Sequence, residues 1–248
     1  MLKRIASAYN TAKTWNPKNI LLLEKIYQAI FANDNQVQII PKYSYTQRFH
    51  LAIEQLERQN REINLAVFDD LATMAQEDPK LHGKIMASLT SFIRNNAQKE
   101  PEKEAKDNPL ATIRVDIQAA LSVLAKRNAY KDKESEPLDL SYIDIRGAKL
   151  CGANLQQTNL YQTNLSGADL CSANLHGAIL TAANLSGANL AGANLNEAIL
   201  SAANLSGANL AGANLYRANL YLAKLDGAIL QDAILDGANL REAKFSEG

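Results

Sequence analysis

The sequence predicts an α+β protein with two parts, a small N-terminal α-helical domain and a β-solenoid that follows it. Two observations predict the solenoid. A large apolar residue stands at every fifth position from Leu140 to Phe245, and residues 181–200 match residues 201–220 at 16 of 20 positions. A third observation predicts the helices, because apolar residues before residue 130 recur three or four positions apart, as on an amphipathic helix.

The part of the chain before the solenoid divides into three segments by its composition. We expect a helical extension over residues 1–45, an α-helical domain over residues 46–130 and a charged linker over residues 131–137. The periodicity predicts four helices in the domain, at residues 46–59, 61–76, 79–96 and 110–126. Three helix starts are marked by Asn or Asp directly before Pro, because the polar side chain caps the helix and Pro fits its first turn. These pairs are Asn16-Pro17, Asp78-Pro79 and Asn108-Pro109.

The period of five in residues 138–248 fits neither an α-helix nor a flat strand. On a helix, five residues advance the chain by about 140° beyond a full turn, so successive Leu side chains would scatter around it. On a flat strand, successive Leu would alternate between the two faces. The pattern fits a backbone that turns by a constant angle every five residues. Because a duplication in a solenoid adds whole coils, the 20-residue duplication predicts four pentapeptides per coil.

The inward positions of this solenoid are predicted to be the Leu at the centre of each pentapeptide and the Ala two residues before it. Asn precedes the central Leu at 12 of 20 positions. We interpret these Asn as structural, because a small amide satisfies backbone groups in tight turns. The predicted core includes Leu150, Leu170, Leu190, Leu210, Ala153, Ala173, Ala193 and Ala213.

The stretch "ANLSGANLAGANL" resembles the A(D/N)LXX motif of the pentapeptide-repeat family, over residues 138–245. The resemblance implies a right-handed quadrilateral β-helix with the Leu and the small residue inside. The segments "RFHLAIEQL", "SLTSFIR" and "DIQAALSVLAKR" resemble the helical region that precedes such repeats in many bacterial proteins. Those relatives often carry earlier membrane-spanning helices, whereas this chain has "NPKNILLLEKIYQAIF", which Glu24 and Lys25 interrupt. That stretch is too short and too charged to span a bilayer.

Composition and motifs argue against several functional classes. Lys plus Arg and Asp plus Glu number 26 each, so the net charge gives no argument for a nucleic-acid partner. His50, His82 and His176 show no paired metal-ligand spacing, and no motif joins a nucleophile to a base. We therefore expect a protein that is not an enzyme and that has no cofactor and no metal site. No secretory signal is evident, which predicts a cytoplasmic location.

The two cysteines, Cys151 and Cys171, are 20 residues apart, which is one coil of the predicted solenoid. They should therefore stack on adjacent coils, at a separation that a disulfide accepts. The alternative is two reduced surface thiols. The expected cytoplasmic location favours this alternative.

A partner surface is expected at the end of the solenoid. The helical domain can cover the first coil, whereas only "SEG" follows Phe245, and outward apolar residues accumulate in the last coils. A cluster of this kind beside an uncovered edge indicates an interaction site. We therefore predict a homodimer that forms through these coils. The predicted surface comprises Tyr216, Tyr221, Leu222, Ile229, Ile234 and Phe245.

These features favour a non-enzymatic scaffold or regulator that presents a rigid β-helical surface to a protein partner. A second hypothesis is a DNA mimic that modulates gyrase, as in the quinolone-resistance branch of the family that the chain resembles. A mimic needs a strong acidic stripe, whereas residues 138–248 hold 9 acidic and 6 basic side chains. A third hypothesis is a peripheral membrane-associated regulator, since the first 25 residues carry five basic side chains and one acidic side chain.

Overall fold

The computed structural model describes residues 45–57, 65–97, 113–128 and 138–245, all within one compact unit. The predicted linker over residues 131–137 lies outside the described residues, as does the predicted extension apart from its last residue. None of the described helices is long and apolar enough to cross a membrane. The helices are α1 (Tyr45–Glu57), α2 (Ala66–Glu77), α3 (Pro79–Asn96) and α4 (Val115–Ala125).

The helix start predicted at Asp78-Pro79 is confirmed. The Asp78 carboxylate accepts a hydrogen bond from the Lys80 N–H at 2.9 Å, and Pro79 is the first residue of α3. The other two Asn-Pro pairs lie outside the described residues. Two predicted helix boundaries were wrong, because α2 begins at Ala66 rather than residue 61 and α4 begins at Val115 rather than residue 110.

The late start of α4 has a local cause. Arg114, which precedes the helix, has ψ 140°, an extended conformation that ends any helix before it. Its guanidinium donates to the Asp116 carboxylate and, at 3.2 Å, to the Asn96 carbonyl. These contacts fix the beginning of α4 beside the end of α3.

The helical domain has an apolar core that α2, α3 and α4 share. Leu71 and Met74 of α2, Ile85 and Leu89 of α3, and Leu121 of α4 are at most 1% exposed. Their burial follows from the amphipathic spacing, which places these side chains on one face of each helix. This core is continuous with the core of the solenoid, so the two parts are packed together.

Residues 138–245 form a solenoid whose coils are joined by isolated parallel β-bridges. Each bridge links a residue to the residue 20 positions later, from Asp139–Asn159 to Lys224–Lys244. The four-sided, 20-residue coil that the duplication predicts is therefore present. In this part of the chain each side is a single bridged residue rather than an extended strand. We number the sides by their first bridged residues: face 1 from Asp139, face 2 from Asp144, face 3 from Lys149 and face 4 from Asn154.

A tight turn forms each corner of a coil. At the first corner after face 2, the Ala148 N–H donates to the Ile145 carbonyl at 3.1 Å, and Gly147 between them has φ 67°. A positive φ at only the second central residue is the signature of a type II turn, which favours glycine. Glycine holds this position at 10 corners, and residues such as Gln157 (φ 55°) hold it at 11. The repeat as a whole therefore imposes the corner, because half the corners form without glycine.

The interior of the solenoid is filled by the Leu and Ala positions named from the sequence. Leu170, Leu190 and Leu210 are fully buried, as are the Ala residues three positions after each of them. Thr163, which stands at an Ala position, is also fully buried, and its hydroxyl donates to the Leu140 carbonyl at 2.6 Å. This bond satisfies a hydroxyl that would otherwise be buried without a partner.

Candidate interaction surface at the ends of the solenoid

Residues at the ends of α3 and α4 complete the backbone hydrogen bonding of the first coil. Within the solenoid, the N–H of a bridged residue donates to the preceding coil, as Asn159 does to the Leu138 carbonyl at 2.8 Å. For the first coil, helical carbonyls take the place of a preceding coil. Ala97 accepts from the Asp144 N–H, and Ala125 accepts from the Asn154 N–H, both at 2.8 Å. Faces 2 and 4 are thus closed as another coil would close them.

Side chains from α3 and α4 contact the other two faces. The Gln118 side-chain amide of α4 accepts from the Lys149 N–H at 2.8 Å and donates to the Lys149 carbonyl at 2.9 Å. This pair of bonds reproduces the pairing of an adjacent coil on face 3. On face 1, the Arg94 guanidinium of α3 forms an ion pair with the Asp139 carboxylate.

Arg127, just after α4, is a buried clamp between the helical domain and the solenoid. It is 7% exposed. Its guanidinium donates to the Asn154 carbonyl at 3.0 Å, to the Gln156 carbonyl, and to the Thr158 hydroxyl at 3.2 Å. Sequence patterns did not single out Arg94, Gln118 or Arg127, because each resembles an ordinary polar residue of an amphipathic helix.

The walls of the solenoid carry ladders of side-chain amides that bond to one another. On face 2, Asn164 donates to Asp144 at 3.1 Å, and Asn184 and Asn204 each donate to the residue 20 positions before at 3.2 Å. The Asn164 side-chain oxygen also accepts the Ser166 N–H at 3.2 Å. Similar bonds occur on the other three faces. The Asn side chains therefore support turns and link coils, which agrees with their structural interpretation.

The ladder on face 2 begins at a carboxylate with a shifted pKa. Burial by itself raises the pKa of Asp144, but the hydrogen bonds and charge of Arg146 outweigh it, and the net shift is downward. The Arg146 side chain donates to both carboxylate oxygens, and its backbone N–H donates to one of them at 3.3 Å. A carboxylate, which only accepts hydrogen bonds, suits the position of Asp144, since Asp144 begins the ladder and receives a bond from the Asn164 side chain.

The last coil lacks this covering among the described residues. Leu210 is fully buried, whereas Leu230, one coil later, and Leu235 after it are partly exposed. The Leu225 N–H donates to the Lys244 carbonyl at 2.7 Å, and the described chain holds no further coil to receive the N–H groups of the Leu residues after it. Among the described residues, the end of the solenoid therefore presents partly exposed apolar side chains and Leu N–H groups without an acceptor.

The six predicted surface residues surround this end, and we call them the C-terminal ring. Ile229 (52% exposed) lies on face 3, and Ile234 (46%) lies on face 4. Tyr221 and Leu222 share the corner between faces 1 and 2. Tyr216 lies at the corner between faces 4 and 1, with the Arg217 guanidinium 5.0 Å from its ring centre. The six residues are spread over several faces and corners, because each step of five residues moves a side chain to the next face. Phe245, 49% exposed, completes the ring.

The family model for pentapeptide repeats matches this chain in eight copies, over residues 139–177, 178–215 and 218–247. The chain belongs to the pentapeptide-repeat family. Membership implies that the four-faced solenoid is a right-handed β-helix. No curated protein sequence matches the chain.

Several solved structures of pentapeptide-repeat proteins are similar to this chain. Rfr23 from the cyanobacterium Cyanothece 51142 is 36% identical over 47% of this chain and 69% of its own, with a TM-score of 0.27. HetL from Nostoc sp. strain PCC 7120, involved in heterocyst differentiation regulation, is 27% identical over 44% of this chain and 84% of its own, with a TM-score of 0.20. QnrB1, a plasmid-mediated fluoroquinolone resistance protein, is 22% identical over 45% of this chain and 59% of its own, with a TM-score of 0.27. Superpositions this weak carry no argument about function.

The two cysteines of the pentapeptide-repeat solenoid form a disulfide between the first and second coils. The interpretation that we favoured, two reduced surface thiols, therefore does not describe this structure. The cause is the register, which stacks equivalent positions of adjacent coils and brings the Cα atoms of Cys151 and Cys171 to 4.6 Å. The disulfide lies at the corner between faces 3 and 4, one residue after Leu150 and Leu170.

The three histidines lie on different elements and make ordinary contacts. His50 of α1 is exposed beside Phe49. The Nδ1 atom of His82 in α3 lies 3.2 Å from the Ala75 carbonyl, and that of His176 in the solenoid lies 3.0 Å from the Asn196 carbonyl. Among the described residues, no histidine belongs to a group of metal-ligating side chains.

Proposed function

We propose that the protein is a non-enzymatic interaction scaffold whose binding surface is the open C-terminal end of the solenoid. One observation carries the proposal. The described walls use their amide side chains on one another, and the first coil is covered by helices, whereas the last coil combines a partly exposed core with the C-terminal ring. Exposed apolar side chains beside unpaired backbone groups are typical of a protein–protein contact.

A second copy of the same chain is the partner that we propose for this end. The helical domain blocks the opposite end, so a head-to-tail stack of solenoids cannot propagate. A tail-to-tail contact uses the same surface on both copies and closes at two subunits. The charges permit this contact, because residues 216–245 hold four acidic and four basic side chains. The proposed state is therefore a closed dimer.

Replacement of two ring residues tests the dimer. Ile229→Asn and Ile234→Asn install the residue that stands one coil earlier, since positions 209 and 214 are Asn. The solenoid should tolerate both changes, and the double variant should be a monomer where the unaltered chain is a dimer. Multi-angle light scattering at tens of micromolar protein measures the mass. An unaltered chain that is already monomeric at this concentration overturns the proposed dimer.

The matched control is Ile199→Asn. Ile199 is 40% exposed and bridged on face 1, but it lies in the middle of the solenoid rather than at its end. This variant loses one exposed apolar side chain of the same type and should remain a dimer. If it becomes monomeric together with the double variant, the contact lies on the walls and the end is not the binding surface.

The charge distribution does not support the DNA-mimic hypothesis. Asp139 and Asp144 are engaged by Arg94 and Arg146 near the first coil. The acidic residues of the last coil lie on four different corners rather than along one face. These residues are Asp226, Asp232, Asp236 and Glu242. The basic residues that motivate the membrane hypothesis lie outside the described part of the chain.

A further inference from the structure

A carboxylate on face 3, that of Asp169, lies beside the corner that holds the disulfide. Ligand atoms of Cys151, Cys171 and Asp169 all lie within 4.8 Å of one another, and they form the one group of three or more metal-capable side chains among the described residues. Cys151 is exposed, and the other two side chains are half-buried, so solvent reaches the group. We propose that, once the disulfide is reduced, these three residues bind a thiophilic divalent cation such as Zn²⁺.

The donor set suits this class of cation. Two thiolates and one carboxylate are ligand types that Zn²⁺ accepts, and three protein ligands leave the fourth tetrahedral position to water. Their combined charge of −3 more than balances the charge of the cation. Hard cations such as Mg²⁺ and Ca²⁺ favour oxygen ligands, so this site discriminates against them.

Asp169 is already oriented by the repeat. It is bridged on face 3 to Lys149 on one side and Asn189 on the other. Its Oδ1 atom accepts from the Asn189 amide at 2.9 Å and from the Cys171 N–H at 3.3 Å. Because both bonds use Oδ1, coordination through Oδ2 would preserve them. Such supporting bonds hold a ligand in place and strengthen metal binding.

The redox step balances with an external dithiol. Reduction of the Cys151–Cys171 bond takes two electrons and two protons, which a dithiol reductant supplies while it is oxidised to its own disulfide. The two thiols then lose their protons to solvent as the cation binds. The disulfide and the metal complex are therefore alternative states of one link between the first two coils. The link lies beside the Gln118–Lys149 contact with α4, so both states hold the covered end of the solenoid together.

Cobalt binding to the full chain tests the site. The chain is reduced, the reductant is removed without oxygen, and Co²⁺ is added. We expect one Co²⁺ per chain, with thiolate-to-cobalt charge-transfer absorption and the intense visible bands of tetrahedral Co²⁺, and displacement by Zn²⁺. The untreated disulfide form should show neither signal. A reduced chain without thiolate-to-cobalt absorption overturns the proposal.

The repeat supplies conservative variants for this test. Cys171→Ala installs the residue found at positions 191 and 211 of the same corner, and Asp169→Asn installs the residue found at positions 189 and 209 of the same face. Neither change should disturb the fold. Cys171→Ala should abolish the charge-transfer absorption, and Asp169→Asn should weaken binding by more than about tenfold. Asp232→Asn, an exposed carboxylate three coils away, is the control and should bind as the unaltered chain does. Equal affinity in Asp169→Asn, or unchanged absorption in Cys171→Ala, contradicts the three-ligand site.

Discussion

The two ends of the solenoid are built from the same coil but differ in what lies against them. At the covered end, Leu140 is fully buried beneath the helical domain. At the open end, Leu230 has the same inward position and is partly exposed. The side chains are equivalent, so the neighbouring layer decides their burial. The inward side chains of a pentapeptide repeat are therefore fully buried only where another layer is stacked on their coil. Each end of the solenoid lacks one neighbouring coil, and the two ends differ in what takes its place.

The two ends carry different chemical groups where a neighbouring coil is missing. At the covered end, two backbone carbonyls and the Gln118 amide supply the hydrogen bonds of a missing coil, and Arg127 adds a buried charge that binds carbonyl groups. At the open end, each of the four corners of the last coil carries an acidic side chain. Charges along an exposed edge oppose indiscriminate strand pairing. The covered end is thus closed by specific hydrogen bonds, while the described part of the open end carries charged corners in their place.

The largest expected effect comes from deletion of inward Leu side chains at different distances from the open end. Leu190→Ala leaves a cavity in the closed core and should lower the free energy of unfolding by about 2–5 kcal/mol. Leu230→Ala, on the same face two coils later, should cost less, because part of the side chain is already in water. Urea unfolding of both variants measures the difference.

Protein concentration sharpens this comparison. If the proposed dimer covers the open end, the loss of unfolding free energy caused by Leu230→Ala should grow as the protein concentration rises. The loss caused by Leu190→Ala should change less with concentration. Equal losses for both variants in the monomer would show that the last coil is as well packed as the middle of the solenoid.

A smaller effect is expected from the clamp at the covered end. Arg127→Ala removes charged hydrogen bonds to the Asn154 and Gln156 carbonyls and leaves these groups without a donor. The expected loss is about 1–3 kcal/mol. Hydrogen exchange of the Asn154 amide, which donates to Ala125, should also accelerate, because the docking of α4 weakens. Arg241→Ala, at a side chain 79% exposed, is the control and should leave both quantities unchanged.

The interior of the solenoid was predictable because its pattern is local and repeated. One pentapeptide fixes which side chain points inward, and the 20-residue duplication fixes the number of sides. The Asp78 cap was predictable for a similar reason, since the bond from the Lys80 N–H joins residues two positions apart. The position of α4 could not be predicted in this way, because the Arg114 contact with Asn96 joins residues that are 18 positions apart.

The contacts that cover the first coil could not be predicted from sequence patterns. Gln118 meets Lys149 only because α4 docks at one particular angle, and no periodicity encodes that angle. The ring was predicted by residue type, but its arrangement depends on the register, which places Ile229 and Ile234 on different faces. The two cysteines were expected to be reduced because of the predicted cytoplasmic location, whereas the stacking of adjacent coils brings them close enough for a disulfide.

The smallest expected effect is a pH dependence confined to the covered end. The pKa of Asp144 is lowered from its ordinary value of 3.8, so its ionised form stabilises the folded chain. This contribution is fully present above that value and is lost as the pH falls toward the lower pKa of the folded state.

The matched variant is Asp144→Asn, because Asn stands at the next three rungs of this ladder. It should keep the bond from Asn164 and lose the charge that Arg146 stabilises. Urea unfolding at about pH 5 and about pH 3 compares the two chains. The unaltered chain should lose more stability on acidification than the variant does. Equal losses would show that the ion pair with Arg146 adds no stability.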